Sequence, residues 1–93
     1  MGGRVMDARL NKLRYRAWRR GFTEADLIFG PFADRHAPDL TPAQLDEFET
    51  LLDQDDHDLY DWVLGRRPTP AALDGEVMAL LKSTLPTLRA AGA

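Results

Sequence analysis

The sequence predicts an all-α fold, a small single-domain bundle of about five short helices. Apolar residues recur with the 3.6-residue period of a helix, and no stretch of five or more residues sustains the alternation of a half-buried strand. Glycines and prolines divide the 93 residues into pieces of helix length. Cysteine is absent, so packing alone must hold so short a chain together, which favours helices packed on helices.

The first predicted helix carries two apolar lines, each with the spacing of one helical face. One line consists of Met6, Leu10, Leu13 and Ala17. The other consists of Tyr15, Trp18 and Phe22. Gly21 stands where a left-handed residue commonly ends a helix, and we expect a positive φ there.

The second helix is predicted to begin at Thr23. Asp26 follows three residues later, which is typical of a capping box with a shorter acid. The apolar residues of this segment are Leu27, Ile28 and Phe32. Pro31 stands inside the run and is expected to kink the helix or end it.

The third helix has the clearest start. Thr41 can cap it, Pro42 fits the first turn, and Gln44 can reach back to the cap. After the acidic joint at Asp53–Asp58, a fourth helix follows. We expect one core to contain the apolar residues of both helices, in particular Leu45, Phe48, Leu52, Leu59 and Trp62.

The remaining helix boundaries follow from capping residues and breakers. Asp55 or Asp56 can cap the fourth helix, and Gly65 ends it. Asp74 can cap the last helix, and Pro86 is expected to limit it.

A single domain over residues 1–93 is expected, with frayed tails at residues 1–6 and 87–93. No apolar run approaches the about 18 residues of a membrane span. The first residues lack the apolar segment of a secretory signal, so a cytoplasmic location is expected. A monomer is the expected oligomeric state.

Charge is distributed unevenly along the chain, although the net charge is only −3. Residues 1–20 contain seven basic residues and one acid, a net charge of +6. Residues 21–64 contain twelve acids and one arginine, a net charge of −11, and residues 65–93 carry +2. This layout predicts either a partner with a negative patch or charge complementarity within the chain.

The acidic cluster at Asp53–Asp58 is the first candidate for a metal site. A calcium-binding EF-hand loop needs glycine at its sixth position and glutamate at its twelfth, but here these positions hold Asp58 and Leu64. His36 and His57 are far apart and share no metal-binding spacing. We therefore expect no metal site, and we interpret the acids as caps of the next helix. Phosphate-loop, dinucleotide and nucleophile-elbow motifs are also absent from the sequence, so a self-contained enzyme is not predicted.

The basic first helix is a candidate for nucleic-acid binding, because its cations are interleaved with Tyr15 and Trp18. However, the cations surround the helix instead of forming one stripe, and the rest of the chain is acidic. An acidic body repels a polyanion, so the sequence argues against this interpretation without eliminating it.

The junction between the first two helices is the third candidate. Helix-end chemistry explains its glycine and its flanking charges, Arg20 and Glu24. It does not explain a doubled arginine between Trp18 and Phe22, and these residue types are enriched at interface hot spots.

Three segments carry a resemblance to a known family. They are RRGFTEADLIFGPF (19–32), LTPAQLDEFETLLD (40–53) and DLYDWVLGR (58–66). In order and spacing they resemble the FAD assembly factors of the SdhE family, also called succinate dehydrogenase assembly factors. The resemblance extends from about Leu13 to about Leu81. It implies a five-helix bundle, which agrees with the prediction from periodicity.

The resemblance implies a function. Members promote covalent attachment of FAD to the flavoprotein subunit of succinate dehydrogenase and, in some bacteria, of fumarate reductase. The signature residues would be Arg20, Gly21 and Glu24, followed by Asp26. Phe22 replaces a common methionine and Ala25 a common leucine, which changes apolar bulk and leaves the charged signature intact. The missing transit peptide points to the bacterial branch.

The implied role is that of a chaperone, with no catalytic residue and no stably bound cofactor of its own; the FAD belongs to the partner flavoprotein. The implied partner-binding residues are Arg19, Arg20, Gly21, Phe22, Glu24 and Asp26. Arg20 and Glu24 are expected on the docking face, where their loss would barely disturb the fold. Two rival interpretations remain: an interaction adaptor without a flavin role, and a nucleic-acid-binding module.

Overall fold

The computed structural model describes the backbone of residues 2–92 and the side chains of residues 7–85. Throughout this part of the chain the regular structure is helical, which confirms the all-α prediction. The five helices are α1 (Gly2–Ala17), α2 (Thr23–His36), α3 (Pro42–Leu52), α4 (Asp56–Leu64) and α5 (Glu76–Gly92). Two short 3₁₀ turns lie at Ala37–Asp39 and Ala71–Leu73.

Helix α2 lies at the centre of the bundle and packs against both α1 and α5. Its inner face contributes Phe29 and Phe32 to the core, and the Phe32 ring lies 5.3 Å from the Phe48 ring of α3, centroid to centroid. The predicted set from the third and fourth helices is buried in this same core, which confirms their placement: Leu45, Phe48, Leu52, Leu59 and Trp62.

The capping hydrogen bonds predicted at two helix starts, those of α3 and α4, are confirmed. The Thr41 hydroxyl accepts a hydrogen bond from the Gln44 backbone N–H, and the Gln44 side chain accepts one from the Thr41 N–H, a complete capping box. Asp55, and not Asp56, caps α4 by accepting from the backbone N–H groups of the next turn. Gly65 ends that helix in the left-handed conformation, with φ of 77°.

The start of α2 was placed correctly, but its predicted capping box was wrong. Phe22 is the N-cap and its side chain makes no capping hydrogen bond. The Asp26 carboxylate instead accepts a hydrogen bond from the Arg20 backbone N–H, at 2.6 Å. Phe22, the residue before α2, has an extended backbone. The N–H group that reaches the Asp26 carboxylate is therefore that of Arg20, in the segment between α1 and α2.

Neither proline ends its helix. Helix α2 continues through Pro31 to His36, and α5 continues past Pro86 to Gly92, so the stop predicted at Pro86 was wrong, whereas the kink predicted at Pro31 as the alternative to a stop stays a prediction. A proline removes one backbone hydrogen bond, but its φ is compatible with a helix. The frayed tails predicted at residues 1–6 and 87–93 lie outside the residues whose side chains are described.

The start of α5 is capped from another helix. Asp74 was predicted to cap it, which is wrong: Asp74 ends the preceding 3₁₀ turn. The Glu47 carboxylate of α3 accepts a hydrogen bond from the Val77 backbone N–H at 3.1 Å. Gly75 packs closely beside it, and a Cβ atom there would displace the end of the Glu47 side chain. None of the described helices is long and apolar enough to cross a lipid bilayer.

Candidate functional site

The cations of α1 are paired with the acidic body of the same chain. Three arginines form ion pairs across the helix interfaces: Arg9 with Asp46 and Glu49, Arg14 with Asp34, and Arg16 with Asp53. The hydrogen bond to Asp46 is the main cause of a raised pKa of Arg9. The uneven charge along the sequence is therefore used for complementarity within the chain, and these three cations do not form a free phosphate-binding stripe.

Arg20 is the one buried charged side chain in the described part of the chain, with 5% of its surface exposed. Its guanidinium donates to two backbone carbonyls at the end of α3, Leu52 O at 2.5 Å and Gln54 O at 2.9 Å. It also forms an ion pair with Asp56 at 2.8 Å. The expectation that Arg20 projects from a docking face is therefore wrong. We call these contacts the Arg20 anchor, because they attach the junction between α1 and α2 to the loop between α3 and α4.

The Arg20 anchor places a charge in a poorly solvated position. Burial lowers the pKa of Arg20, and the nearby Asp56 carboxylate opposes that effect. The guanidinium carbon lies 6.0 Å from the centre of the Phe29 ring. The Nε atom is buried and has no hydrogen-bond partner within the described residues. Burying a charge in this way is costly unless it is paired, so the anchor depends on Asp56 and the two carbonyls together.

Gly21 has φ of 114°, which confirms the positive φ predicted for it. The position is restricted by space as well as by backbone conformation. A Cβ atom would lie 2.5 Å from the Asp56 carboxylate, so a side chain there would push on the partner of Arg20. Glycine therefore lets the chain turn directly over the Arg20 anchor.

Phe22 attaches the junction to α4 by aromatic contacts. Its ring stacks on His57, with centroids 4.5 Å apart and planes 6° from parallel. It meets Tyr60 edge-on at 5.0 Å. Phe22 is half-buried, so one part of the ring stays at the surface.

The remaining predicted residues lie at the surface of the same junction. Arg19, Gly21 and Glu24 are exposed, and Asp26 is partly exposed. No ion pair joins Glu24 to any of residues 7–85. An open depression of about 500 Å³ lies here, lined by Trp18, Arg19, Gly21, Phe22, Thr23 and Asp26.

The structure thus brings the six predicted residues together, but in two layers. Arg20 and the Asp26 carboxylate hold the junction from inside, while Arg19, Phe22 and Glu24 are accessible from outside. The sequence did not identify the support from the first turns of α4, which consists of Asp56, His57 and Tyr60. The acidic cluster at Asp53–Asp58 was the only sequence feature that pointed to these residues. Such a cluster does not show which distant arginine or lysine pairs with it.

The arrangement suits a macromolecular partner. The depression is open and shallow, and its walls are aromatic rings and charged groups, whereas small-molecule sites are usually concave and mostly apolar. Among residues 7–85, histidines and acids form no group of three that could hold a metal ion.

Comparisons with known proteins place this site in context. Residues 11–85 match the model of a family described as flavinator of succinate dehydrogenase. The chain is 40% identical over 72 residues to a mitochondrial succinate dehydrogenase assembly factor 2 of Mycosarcoma maydis, which covers 74% of this chain and 30% of that protein. It is 37% identical over 71 residues to the protein of the same name in Dictyostelium discoideum, covering 76% and 50%.

A bacterial protein is similar as well. The FAD assembly factor SdhE of Acetobacter pasteurianus is 38% identical over 63 residues, which covers 68% of this chain and 58% of that protein. The chain therefore matches between about a third and three fifths of the length of these relatives. The family match includes the whole junction and the residues that support it.

Proposed function

Because this chain belongs to the family of flavinators of succinate dehydrogenase, we propose that it is an assembly factor that binds the flavoprotein subunit of that enzyme and promotes covalent attachment of FAD. The flavoprotein subunit of fumarate reductase is proposed as a second acceptor. We further propose that the chain acts as a monomer in the cytoplasm, where a bacterial acceptor takes up its flavin. The family match agrees with the resemblance drawn from residues 13–81.

One observation carries the proposal that the junction is the docking site. The chain buries the Arg20 guanidinium against the end of α3 and Asp56, and a positive-φ glycine turns over it, so that a short exposed segment is held in one conformation. A helix boundary without a further role needs no buried arginine, because a glycine stop or water satisfies the helix end.

The proposed mechanism is selection of one conformation of the acceptor. Attachment would join a flavin methyl carbon to a histidine of the acceptor, and fixed donors in a closed site of the acceptor would favour the negative charge that this chemistry places on the ring. The acceptor supplies the flavin and the attached histidine. The assembly factor binds the acceptor conformation in which these groups are aligned and increases its population.

The two layers of the junction suggest separate roles. Glu24, Arg19 and the outer part of Phe22 contact the acceptor. Arg20 and Asp26 act as positioning residues, because their polar groups are used within the chain. Gly21 allows close approach of the two backbones.

Coexpression tests the proposal. The chain is produced together with a bacterial succinate dehydrogenase flavoprotein subunit, in a host deleted for its own factor of this family. We expect flavin fluorescence that stays with the denatured subunit in a gel, and little without the chain. An interaction adaptor would form the complex but leave covalent flavin unchanged, and that result would overturn the proposed function.

Matched variants test the site. Glu24→Ala removes an exposed carboxylate and should reduce covalent flavin without a change in the thermal midpoint. Asp39→Ala removes another exposed carboxylate, outside the junction, and should have little effect on either. Arg9→Ala is the corresponding control for the basic helix. If Glu24→Ala flavinylates the acceptor at the parental rate, Glu24 is not part of the docking site.

A further inference from the structure

The large apolar side chains that remain exposed are concentrated in one region of the described surface. They are Tyr15 at 62% exposure, Trp18 at 40% and Leu27 at 36%. Tyr15 and Trp18 lie at the end of α1, and Leu27 lies near the start of α2, so all three flank the junction. Exposed apolar groups scattered over a surface need no explanation, but a group beside a candidate site does.

Trp18 is held rigidly although it is exposed. Its indole Nε1–H donates to Asp34 at 3.1 Å. Its ring lies directly on the backbone of Gly30, where a Cβ atom would overlap it. Leu27, Gly30 and Asp34 are spaced by three and four residues and therefore form one stripe along α2. The indole thus lies along the same stripe that carries Leu27.

Tyr15 and Arg19 form a second preorganised pair. The guanidinium carbon of Arg19 lies 4.5 Å from the centre of the Tyr15 ring, in cation–π geometry. Ordering of long side chains is one of the costs of association, and side chains that are already held in the free protein avoid part of it.

We propose that Tyr15, Trp18, Arg19 and Leu27, which we call the aromatic patch, form a second part of the interface with the flavoprotein subunit. The patch receives an apolar surface of the acceptor that has acidic side chains at its edge. This inference rests on the proposed function and extends the docking surface beyond the signature residues. Tyrosine, tryptophan and arginine are the residue types that dominate interface hot spots.

Continuity and charge support this occupant. Trp18 and Arg19 line the same depression as Gly21 and Phe22, so a partner seated at the junction meets the patch directly. The α1 side of the patch has a basic edge, since Arg19 and Lys12 are exposed there, and this edge suits acidic side chains of the acceptor. The α2 side carries the carboxylates of Glu24 and Asp34.

The test measures binding of variants of this chain to the purified flavoprotein subunit by calorimetry, with covalent flavin measured in parallel. Trp18→Ala, Tyr15→Ala and Leu27→Asp should each raise the Kd at least about tenfold. Ala79→Asp, which introduces the same acid at an exposed position on α5, is the control and should bind like the parent. Circular dichroism checks that each variant is folded. If Trp18→Ala loses helical content, the Kd values of Tyr15→Ala and Leu27→Asp show whether the aromatic patch contributes to binding.

The outcomes separate the patch from the function. If the parent promotes flavinylation and folded patch variants bind within twofold of it, the patch proposal is overturned while the proposed function stands. If the parent neither binds nor flavinylates the subunit, the patch proposal and the proposed function are both overturned. If sedimentation shows a parental dimer that Tyr15→Ala dissociates, the patch is a self-association surface and the proposal is wrong.

Discussion

Arg20 and Asp56 form an ion pair, with 2.8 Å between Nη2 and Oδ1, that joins the α1–α2 junction to the start of α4. The two residues lie 36 positions apart in the sequence, and Gly21 turns over them so closely that a Cβ atom there would lie 2.5 Å from the Asp56 carboxylate. Arg20 therefore supports the proposed docking surface from beneath. Its loss should affect both stability and function, in contrast to the loss of Glu24.

The first prediction concerns Arg20→Ala. The substitution removes three polar contacts and leaves two carbonyls and a carboxylate without their donor. Breaking a fully buried pair costs about 3–5 kcal/mol, and Asp56 is partly exposed, so we expect a loss of about 2–3 kcal/mol in the free energy of unfolding. Urea denaturation followed by circular dichroism measures it.

Arg16→Ala provides the matched comparison for Arg20→Ala. Arg16 pairs with Asp53 close to the same loop, but both side chains are partly exposed. Exposed pairs contribute roughly 0–1 kcal/mol, so this variant should lose at most that amount. Equal effects of the two substitutions would show that the Arg20 anchor is no stronger than a surface ion pair.

The second prediction concerns Gly21→Ala. An alanine there meets both an unfavourable backbone conformation and the Asp56 carboxylate at 2.5 Å. Gly65→Ala should lose only the about 1–2 kcal/mol of stability that a left-handed backbone conformation costs an alanine, because no atom lies within 4 Å of its Cβ position. We expect Gly21→Ala to be the more destabilising of the two in thermal unfolding. The double variant Gly21→Ala/Asp56→Ala should lose less stability than the sum of the losses in the two single variants. The reason is that the clash with the new Cβ atom and the ion pair with Arg20 both involve Asp56.

The third prediction concerns Gly30→Ala, for which two effects have opposite signs. Helix propensity alone would stabilise α2 by about 0.5–1 kcal/mol. The new Cβ would occupy the space of the Trp18 ring, so we expect displacement of the indole and a net loss of stability. A red shift of tryptophan emission would report the displacement, and the same shift should be absent from a Gly30→Ala variant that also carries Trp18→Phe. A more stable protein with unchanged emission would contradict the placement of Trp18.

The fourth prediction tests the core. Trp62 is buried between α4 and its neighbours together with Phe48 and Leu59. Trp62→Ala should cost on the order of 3–5 kcal/mol, a large part of the stability of a small domain. Thermal unfolding measures the effect, and an unchanged midpoint would place Trp62 outside the core.

The sequence predicted the elements and the local chemistry well. The capping box at Thr41, the cap at Asp55, the stop at Gly65 and the positive φ of Gly21 depend on residues within a few positions of each other, and all of these are confirmed. The helix stop expected at Gly21 was wrong, because α1 already ends at Ala17. Apolar periodicity was sufficient to place Trp62 in the core because each helix buries one face.

The misses share a physical cause. Arg20 was expected at the surface, since arginine is rarely buried and its partner Asp56 is remote in sequence. Likewise, the donor at Val77 is satisfied by Glu47, 30 positions away, where a local cap at Asp74 was expected. Local patterns show which groups need partners, but when the partner comes from another helix only the packed structure reveals it.

A reconstituted time course measures whether the chain promotes covalent attachment of flavin. Purified flavoprotein subunit without covalent flavin is incubated with FAD, with and without this chain, and acid-precipitated protein is assayed for bound flavin. We expect faster attachment with the parental chain, slower attachment with folded Glu24→Ala, and parental behaviour with Asp39→Ala. Attachment at the same rate with and without the chain would show that it is not a flavin-attachment factor for this subunit.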